Sequence, residues 1–242
     1  MPHPWKHSVI DVYANNYGNV IQDYFSLVVE PSLQALQQRS DELMALPDDG
    51  LFTRSFLIAD HAALQQKTAM AFCLGIQSLW EQHLRLYVTS CLHQFFKPAV
   101  PDNHFAAEMA KKIELAEKAT WGSRFNAFFL EARGLELHSF PSYSEIDLLM
   151  ALGNICRHGE GDAARRLRKS HPELWPEQLP IMEEHFGNRS ITDLKLSIEL
   201  LRSFVIAVVL FWRDLERHGL KSFMYDKSDT EIDTFLSNRV RV

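Results

Sequence analysis

Asn154, Arg157 and His158 fall together in the segment Leu152-Gly153-Asn154-Ile155-Cys156-Arg157-His158-Gly159-Glu160-Gly161. They offer an amide that can orient a neighbour, a fixed cation, and an imidazole that titrates near neutrality. Metal-free cleavage of RNA uses groups of this kind. A general base takes the proton of a ribose 2′-hydroxyl, and a cation stabilises the charged phosphorane. Leu148, Leu149, Leu152 and Ile155 recur at helical spacing. One face of a helix therefore meets a core, and the polar trio clusters at its C-terminal turn. Gly159 and Gly161 stop that helix. A structural alternative stands beside this: Asn154 and His158, one turn apart, hydrogen-bond each other and a nearby loop.

The pattern Asn154-x-x-x-His158-x-x-Gly161, after an acidic helix start at Glu145 and Asp147, resembles the HEPN (higher eukaryote and prokaryote nucleotide-binding) superfamily. Many of its members carry Arg-Asn-x-x-x-His and cleave RNA. Gly153 occupies the position at which the family places its catalytic Arg. The resemblance implies a HEPN-like helical bundle, with His158 as acid or base and Asn154 as an orienting group. Arg157 would supply the guanidinium missing at 153. HEPN helices that precede the motif often carry an acidic residue facing it, and Glu81 would fill that role; a surface Glu on an amphipathic helix is the other reading. The family's motifs commonly face each other across a dimer, which implies a homodimer. The apolar final helix points the same way. A metal-independent endoribonuclease acting in a toxin–antitoxin pair, in defence or in RNA turnover is then expected, with an antitoxin or other protein as a further partner. The competing reading is a catalytically inactive helical dimerisation or protein-interaction module. Gly153 is the residue that separates the two.

The charge pattern bears on the same question. With 25 Lys and Arg against 31 Asp and Glu, the chain is formally −6 and is no generic nucleic-acid binder. Between Arg157 and His171, however, five cations (Arg157, Arg165, Arg166, Arg168, Lys169) face two acids (Glu160, Asp162), a surplus of 5 − 2 = +3. A phosphate backbone is attracted to such a stretch, so Arg165, Arg166, Arg168 and Lys169 are candidate RNA contacts. Helical geometry prevents them from all pointing one way, and at most two reach the same run of phosphates. The plainer reading is a solvated face that pairs with nearby acids.

Other chemistries lack their residues. The chain has no Glu-x-x-His for a di-iron bundle, no Cys-x-x-Cys, no His-Glu-x-x-His and no glycine-rich phosphate loop, so neither metal nor cofactor is expected. Cys73, Cys91 and Cys156 are odd in number and without paired spacing, the usage of reduced thiols in a cytoplasmic protein. Cys156 has a neighbouring cation in Arg157, but no resolving partner is evident in the sequence, and it reads as a packed residue. The N-terminus lacks the apolar core of a signal peptide. The apolar run from Phe204 to Trp212 is bracketed by Arg202 and Arg213, too short to span a bilayer, and predicts a buried helix with no membrane role.

Helical periodicity runs throughout and no segment alternates as a strand would, so the fold class is all-α. One HEPN-like domain is expected over residues 1–220, with an extra N-terminal helix, and a loosely held tail over 221–242. The first helix is expected over 8–29, with Val9, Val12, Tyr13, Val20, Ile21 and Tyr24 on its apolar side. Pro31 can open a second piece that ends before Pro47-Asp48-Asp49-Gly50. A long helix or broken pair follows over 51–96, closed by Pro98 and Pro101, then another over 104–131 with a possible break at Trp121-Gly122-Ser123. A connector over 133–143 brings Ser142 or Ser144 into position to cap the motif helix. A basic helix over 162–169, a loop with Pro172, Pro176 and Pro180, and a final helix to about residue 217 complete the chain. Ser190 and Asp193 form a capping-box-like start to that last helix.

Overall fold

The structure is a computed structural model and describes residues 5–6, 8–47, 53–95, 103–177, 190–224 and 226–239. It is all-α, with no strand among these residues. The helices are α1 (Ala14–Tyr24), α2 (Glu30–Ala45), α3 (Thr53–Phe95), α4 (Asn103–Lys118), α5 (Ser123–Arg133), α6 (Tyr143–His158), α7 (Asp162–Ser170), α8 (Ile198–Phe223) and α9 (Asp229–Arg239). Short 3-10 turns lie at Val9–Tyr13, Leu137–Ser139, Pro172–Leu174 and Ile191–Asp193. Two compact units emerge. One comprises Met1–Ile21, Leu79–Ser144 and Ala207–Val242; the other comprises Gln22–Ser78 and Glu145–Ile206.

Several boundaries follow from local chemistry. Pro31 has no N–H for the carbonyl one turn back. A π turn over Phe25–Val29 absorbs this, with the Glu30 N–H on the Phe25 carbonyl, and the Ser32 hydroxyl donates to the Val28 carbonyl at 2.6 Å. Pro31 thus sits in the first turn of α2 and the helical run is not interrupted. α3 is one helix of 43 residues, which settles the choice between one helix and a pair; no proline falls inside it. The break at Trp121-Gly122 separates α4 from α5 as expected. Asp48, Asp49, Gly50, Pro98, Pro101 and Pro180 lie outside the described residues.

The capping box at Ser190 and Asp193 is present in both directions but closes only the 3-10 turn Ile191–Asp193. α8 starts later, where Ser197 Oγ accepts from the Leu200 N–H at 3.2 Å. Ser142 is buried and its hydroxyl has no partner among the described residues, so it does not cap α6. Within the segment expected as a tail, α9 begins at a capping box in which Ser228 Oγ accepts from Glu231 N–H and the Glu231 carboxylate accepts from Ser228 N–H. Burial of Ile232 and the pairs Arg217–Asp233 (2.8 Å) and Lys221–Asp229 (2.7 Å) hold it to the end of α8.

The first unit is built around aromatic rings. Trp80 meets Phe211 edge-on at 4.7 Å and Trp212 at 5.6 Å, and Phe140 lies 4.6 Å from Phe211. Such edge contacts add to the area these rings bury. A charged pair is enclosed beside them. Arg133, 0% exposed, donates from Nη2 to Asp11 Oδ2 at 2.7 Å, and its guanidinium lies 4.1 Å from the Trp5 ring centroid. Asp11 also accepts from Trp5 Nε1 (3.1 Å), the Ser8 N–H (3.2 Å) and the Tyr87 hydroxyl (2.6 Å). A Cβ at Gly219 would come within 2.8 Å of Asp11 Cβ, so this approach requires glycine. The pair also explains a shifted face on the N-terminal segment. Of the residues expected on its apolar side, Ile21 is buried and Tyr24 partly so, but Val9, Val12 and Val20 are exposed while Ser8, Asp11, Ala14 and Gly18 are buried, because the carboxylate must point inward to meet Arg133.

The second unit has a largely aliphatic core drawn from several helices, including Ile76 of α3, Leu149, Leu152 and Ile155 of α6, and Leu201 of α8, joined by the ring of Phe204. Along α8 as a whole the inward stripe is Leu201, Phe204, Val205, Val208, Phe211, Trp212 and Leu215, whereas Ile206 and Leu210 remain exposed. Most of the apolar surface that suggested a dimer is therefore covered by this chain itself. No helix among the described residues is long and apolar enough to cross a membrane.

Candidate functional site

α6 carries the motif of the second unit. Its inward face is Ile146, Leu149, Met150, Leu152, Gly153 and Ile155, and Asn154, Arg157 and His158 emerge exposed at its end. The helix stops as its glycine signal requires. Gly159 takes φ +74°, a left-handed conformation that costs glycine little, and its N–H closes on the Ile155 carbonyl at 2.8 Å.

Gly153 is buried against Gln77 of α3. A Cβ built at 153 would lie 2.5 Å from Gln77 Oε1, 2.7 Å from Cδ and 2.8 Å from Cγ. Gln77 is itself buried and its Oε1 accepts from Arg157 Nη2 at 3.3 Å. The space where a side chain at 153 would begin is thus filled by an amide that also holds Arg157. Gly153 and Gln77 form one fitted pair. Asn154 and His158 are exposed and make no hydrogen bond with each other among the described residues.

Glu81 belongs to the first unit, half-buried, where it pairs with Arg85 one turn along α3. The basic helix α7 is divided by its acids. Arg165 pairs with Asp162 and Arg168 with Glu160. Arg166 and Lys169 are exposed, without an ion pair among the described residues. Arg168 is mostly enclosed, and its guanidinium sits 5.4 Å from the Trp175 ring centroid. Glu160 accepts in addition from the Ile191 N–H at 2.5 Å, while Trp175 Nε1 donates to the Ser190 carbonyl at 3.0 Å. Arg168 therefore fastens the chain at Ser190–Ile191 to the end of α6. That role is structural.

The Arg168 guanidinium, with the Ile191 N–H, holds the Glu160 carboxyl below the usual carboxylate range. A depressed pKa contributes stability above the unfolded value and loses it as pH falls through the folded one. Protonating Glu160 should therefore release Ile191. Hydrogen exchange of the Ile191 amide is expected to quicken at acidic pH, and Glu160→Gln should bring the faster exchange to neutral pH; equal protection in both proteins would refute the clasp.

The chain matches no protein-family model, no curated protein and no solved structure.

Two features of the second unit were not legible in the sequence. Cys73 of α3 and Cys156 of α6 hydrogen-bond each other through their thiols. That bond, together with burial, pushes Cys73 well above its ordinary value. The same bond lowers Cys156. No local spacing announces such a pair, because its members lie on helices far apart in the chain. The other feature is a cleft of about 570 Å³ lined in part by Gln37, Gln65, Gln66, Ser197 and Arg202. Most of its polar groups are already engaged. Gln65 donates to Gln37 at 3.4 Å, Gln66 to the Leu194 carbonyl at 2.5 Å, and Arg202 pairs with Glu30 at 2.5 Å. Among the described residues no group of three or more His, Cys, Asp or Glu is placed to hold a metal ion.

Proposed function

We propose that the end of α6 and the helix α7 bind the phosphate backbone of single-stranded RNA. The observation that carries this reading is the division of charge. The two local acids are taken up by Arg165 and Arg168, and Arg157, Arg166 and Lys169 stay exposed beside His158 in the sequence. Exposed cations of this kind attract phosphates by releasing condensed counterions. Asn154 adds an amide free to meet a sugar or base edge. The resemblance of Asn154 and His158 to the HEPN pattern supports the choice of RNA.

Binding of a fluorescent, unstructured RNA across a salt series tests the reading. The double variant Arg166→Ala/Lys169→Ala should lower the slope of log affinity against log salt by about 1.4, or about 25-fold in affinity near 0.1 M salt, at about 0.7 per phosphate contact for a single strand. An unchanged slope would overturn it.

A second reading, metal-independent cleavage, is favoured by the bond from Arg157 to Gln77. It holds a guanidinium one residue from the exposed His158, and a second copy of the chain would supply the paired groups that HEPN nucleases commonly use. Incubation with the same RNA in EDTA separates the two. Cleavage abolished by His158→Ala and by Arg157→Ala supports a nuclease; intact RNA with binding retained supports the binding role. Neither binding nor cleavage would point to a helical dimerisation or protein-interaction module, with an antitoxin-like protein among the partners to seek.

A further inference from the structure

We propose that Cys73 and Cys156 are a reversible redox pair, in which a hydroperoxide oxidises Cys156 and Cys73 resolves it into an intrachain disulfide joining α3 to α6. Both thiols lie in the second unit, in hydrogen-bond contact with one another. Their exposures differ as the chemistry requires. Cys156 is partly open to solvent, so a small oxidant can reach it, whereas Cys73 is fully enclosed. The two helices also touch one turn away from the thiols. Cys73 and Gln77 are one turn apart on α3, and Gly153 and Cys156 share the facing turn of α6. Because Gly153 carries no side chain, the Gln77 side chain reaches the α6 backbone. Disulfides need Cα atoms about 4.4–6.8 Å apart, so an intrachain cross-link would itself report that the two backbones can come that near.

The electron count closes without a cofactor. The Cys156 thiolate attacks one oxygen of the hydroperoxide; the S–O bond forms, the O–O bond breaks, and the alcohol or water leaves with the thiol proton. Cys156 is then a sulfenic acid. The Cys73 sulfur attacks the Cys156 sulfur; the S–S bond forms, the S–O bond breaks, and hydroxide leaves with the Cys73 proton as water. Two thiols lose two electrons and the peroxide gains them. A small dithiol reverses the reaction. The proposal does not depend on RNA binding, although the bridge would stiffen the turn that carries the Gln77–Arg157 bond.

The test is hydrogen peroxide titration of the full chain, followed by non-reducing peptide mapping and intact mass. The expected result is a monomer lighter by about 2 Da, with the Cys73 and Cys156 peptides cross-linked, Cys91 still alkylatable after unfolding, and full reversal by dithiothreitol. Cys73→Ser should leave a sulfenic acid on Cys156 that dimedone traps. Wild-type protein in which Cys156 becomes sulfenic or sulfinic acid without joining Cys73 would overturn the proposal. So would a covalent dimer through Cys156, or three intact thiols at a peroxide dose that oxidises a free cysteine peptide. The wild-type map decides the matter even if the variant does not fold.

Discussion

Arg133→Ala is expected to cost about 3–5 kcal/mol of unfolding free energy, because it leaves the Asp11 carboxylate enclosed without its cation. Asp11 is buried and receives hydrogen bonds from Trp5, Ser8, Tyr87 and Arg133. The three neutral donors cannot offset the desolvation of a full charge once the guanidinium is gone. In a chain of this size the midpoint of thermal unfolding should fall by on the order of 10 °C. The N-terminal segment should loosen with it. Lys6 binds the Arg133 carbonyl through its N–H at 3.0 Å, and Trp5 stacks on the His218 ring at 5.3 Å. Asp11→Ala should cost a comparable amount, and the double variant less than the sum of the two. Chemical denaturation of the four proteins gives the coupling directly. A loss below about 1 kcal/mol for Arg133→Ala, the range of an exposed pair, would show that the pair is not enclosed as described.

Placing at 153 the Arg that the HEPN pattern carries there is expected to destabilise the second unit. Gly153→Ala already places a Cβ within 2.8 Å of three Gln77 atoms. Overpacking of this sort costs about 1–3 kcal/mol, which outweighs the gain of up to about 1 kcal/mol from replacing a helical glycine. Gln77 can yield only by giving up its bond to Arg157. Gly153→Arg adds a cation to the same enclosed space and is expected to lose more. Partner rescue distinguishes this account from a general sensitivity of α6. In a Gln77→Ala background the clash is gone, and Gly153→Ala should be neutral or stabilising. Urea titration of the four combinations measures it, and additive losses would refute the fitted pair.

These two results locate what could be read from residues alone. The all-α class, the end of α6 at Gly159, the break near Gly122 and the basic helix over α7 were legible because each rests on a local rule: apolar periodicity, glycine punctuation, charge count. Other expectations drifted where a local signal was true but incomplete. Ser190 and Asp193 do form a capping box, but the 3-10 turn it opens ends at Asp193, and residues 194–197 separate that turn from the start of α8 at Ile198. The apolar side of the N-terminal segment was expected on Val9, Val12, Tyr13, Val20, Ile21 and Tyr24; Ile21 is buried, but the three valines are exposed and Ser8, Asp11, Ala14 and Gly18 are buried. A single buried partner, Arg133, outweighed the preference of three valines.

The candidate site divides in the same way. Sequence by itself determined that Asn154, Arg157 and His158 share the last turn of one helix, since helical spacing and two glycines suffice for that. It also determined a local excess of positive charge, which is a matter of counting. Tertiary structure alone decided which of those charges remain available, because ion pairing depends on where Glu160 and Asp162 point. It alone decided that Gly153 faces Gln77, and that Cys156 has a second thiol beside it. Each of these joins α3 to α6 across a long stretch of chain, and contacts of that range are set by how helices pack, through shape and burial that no local pattern encodes.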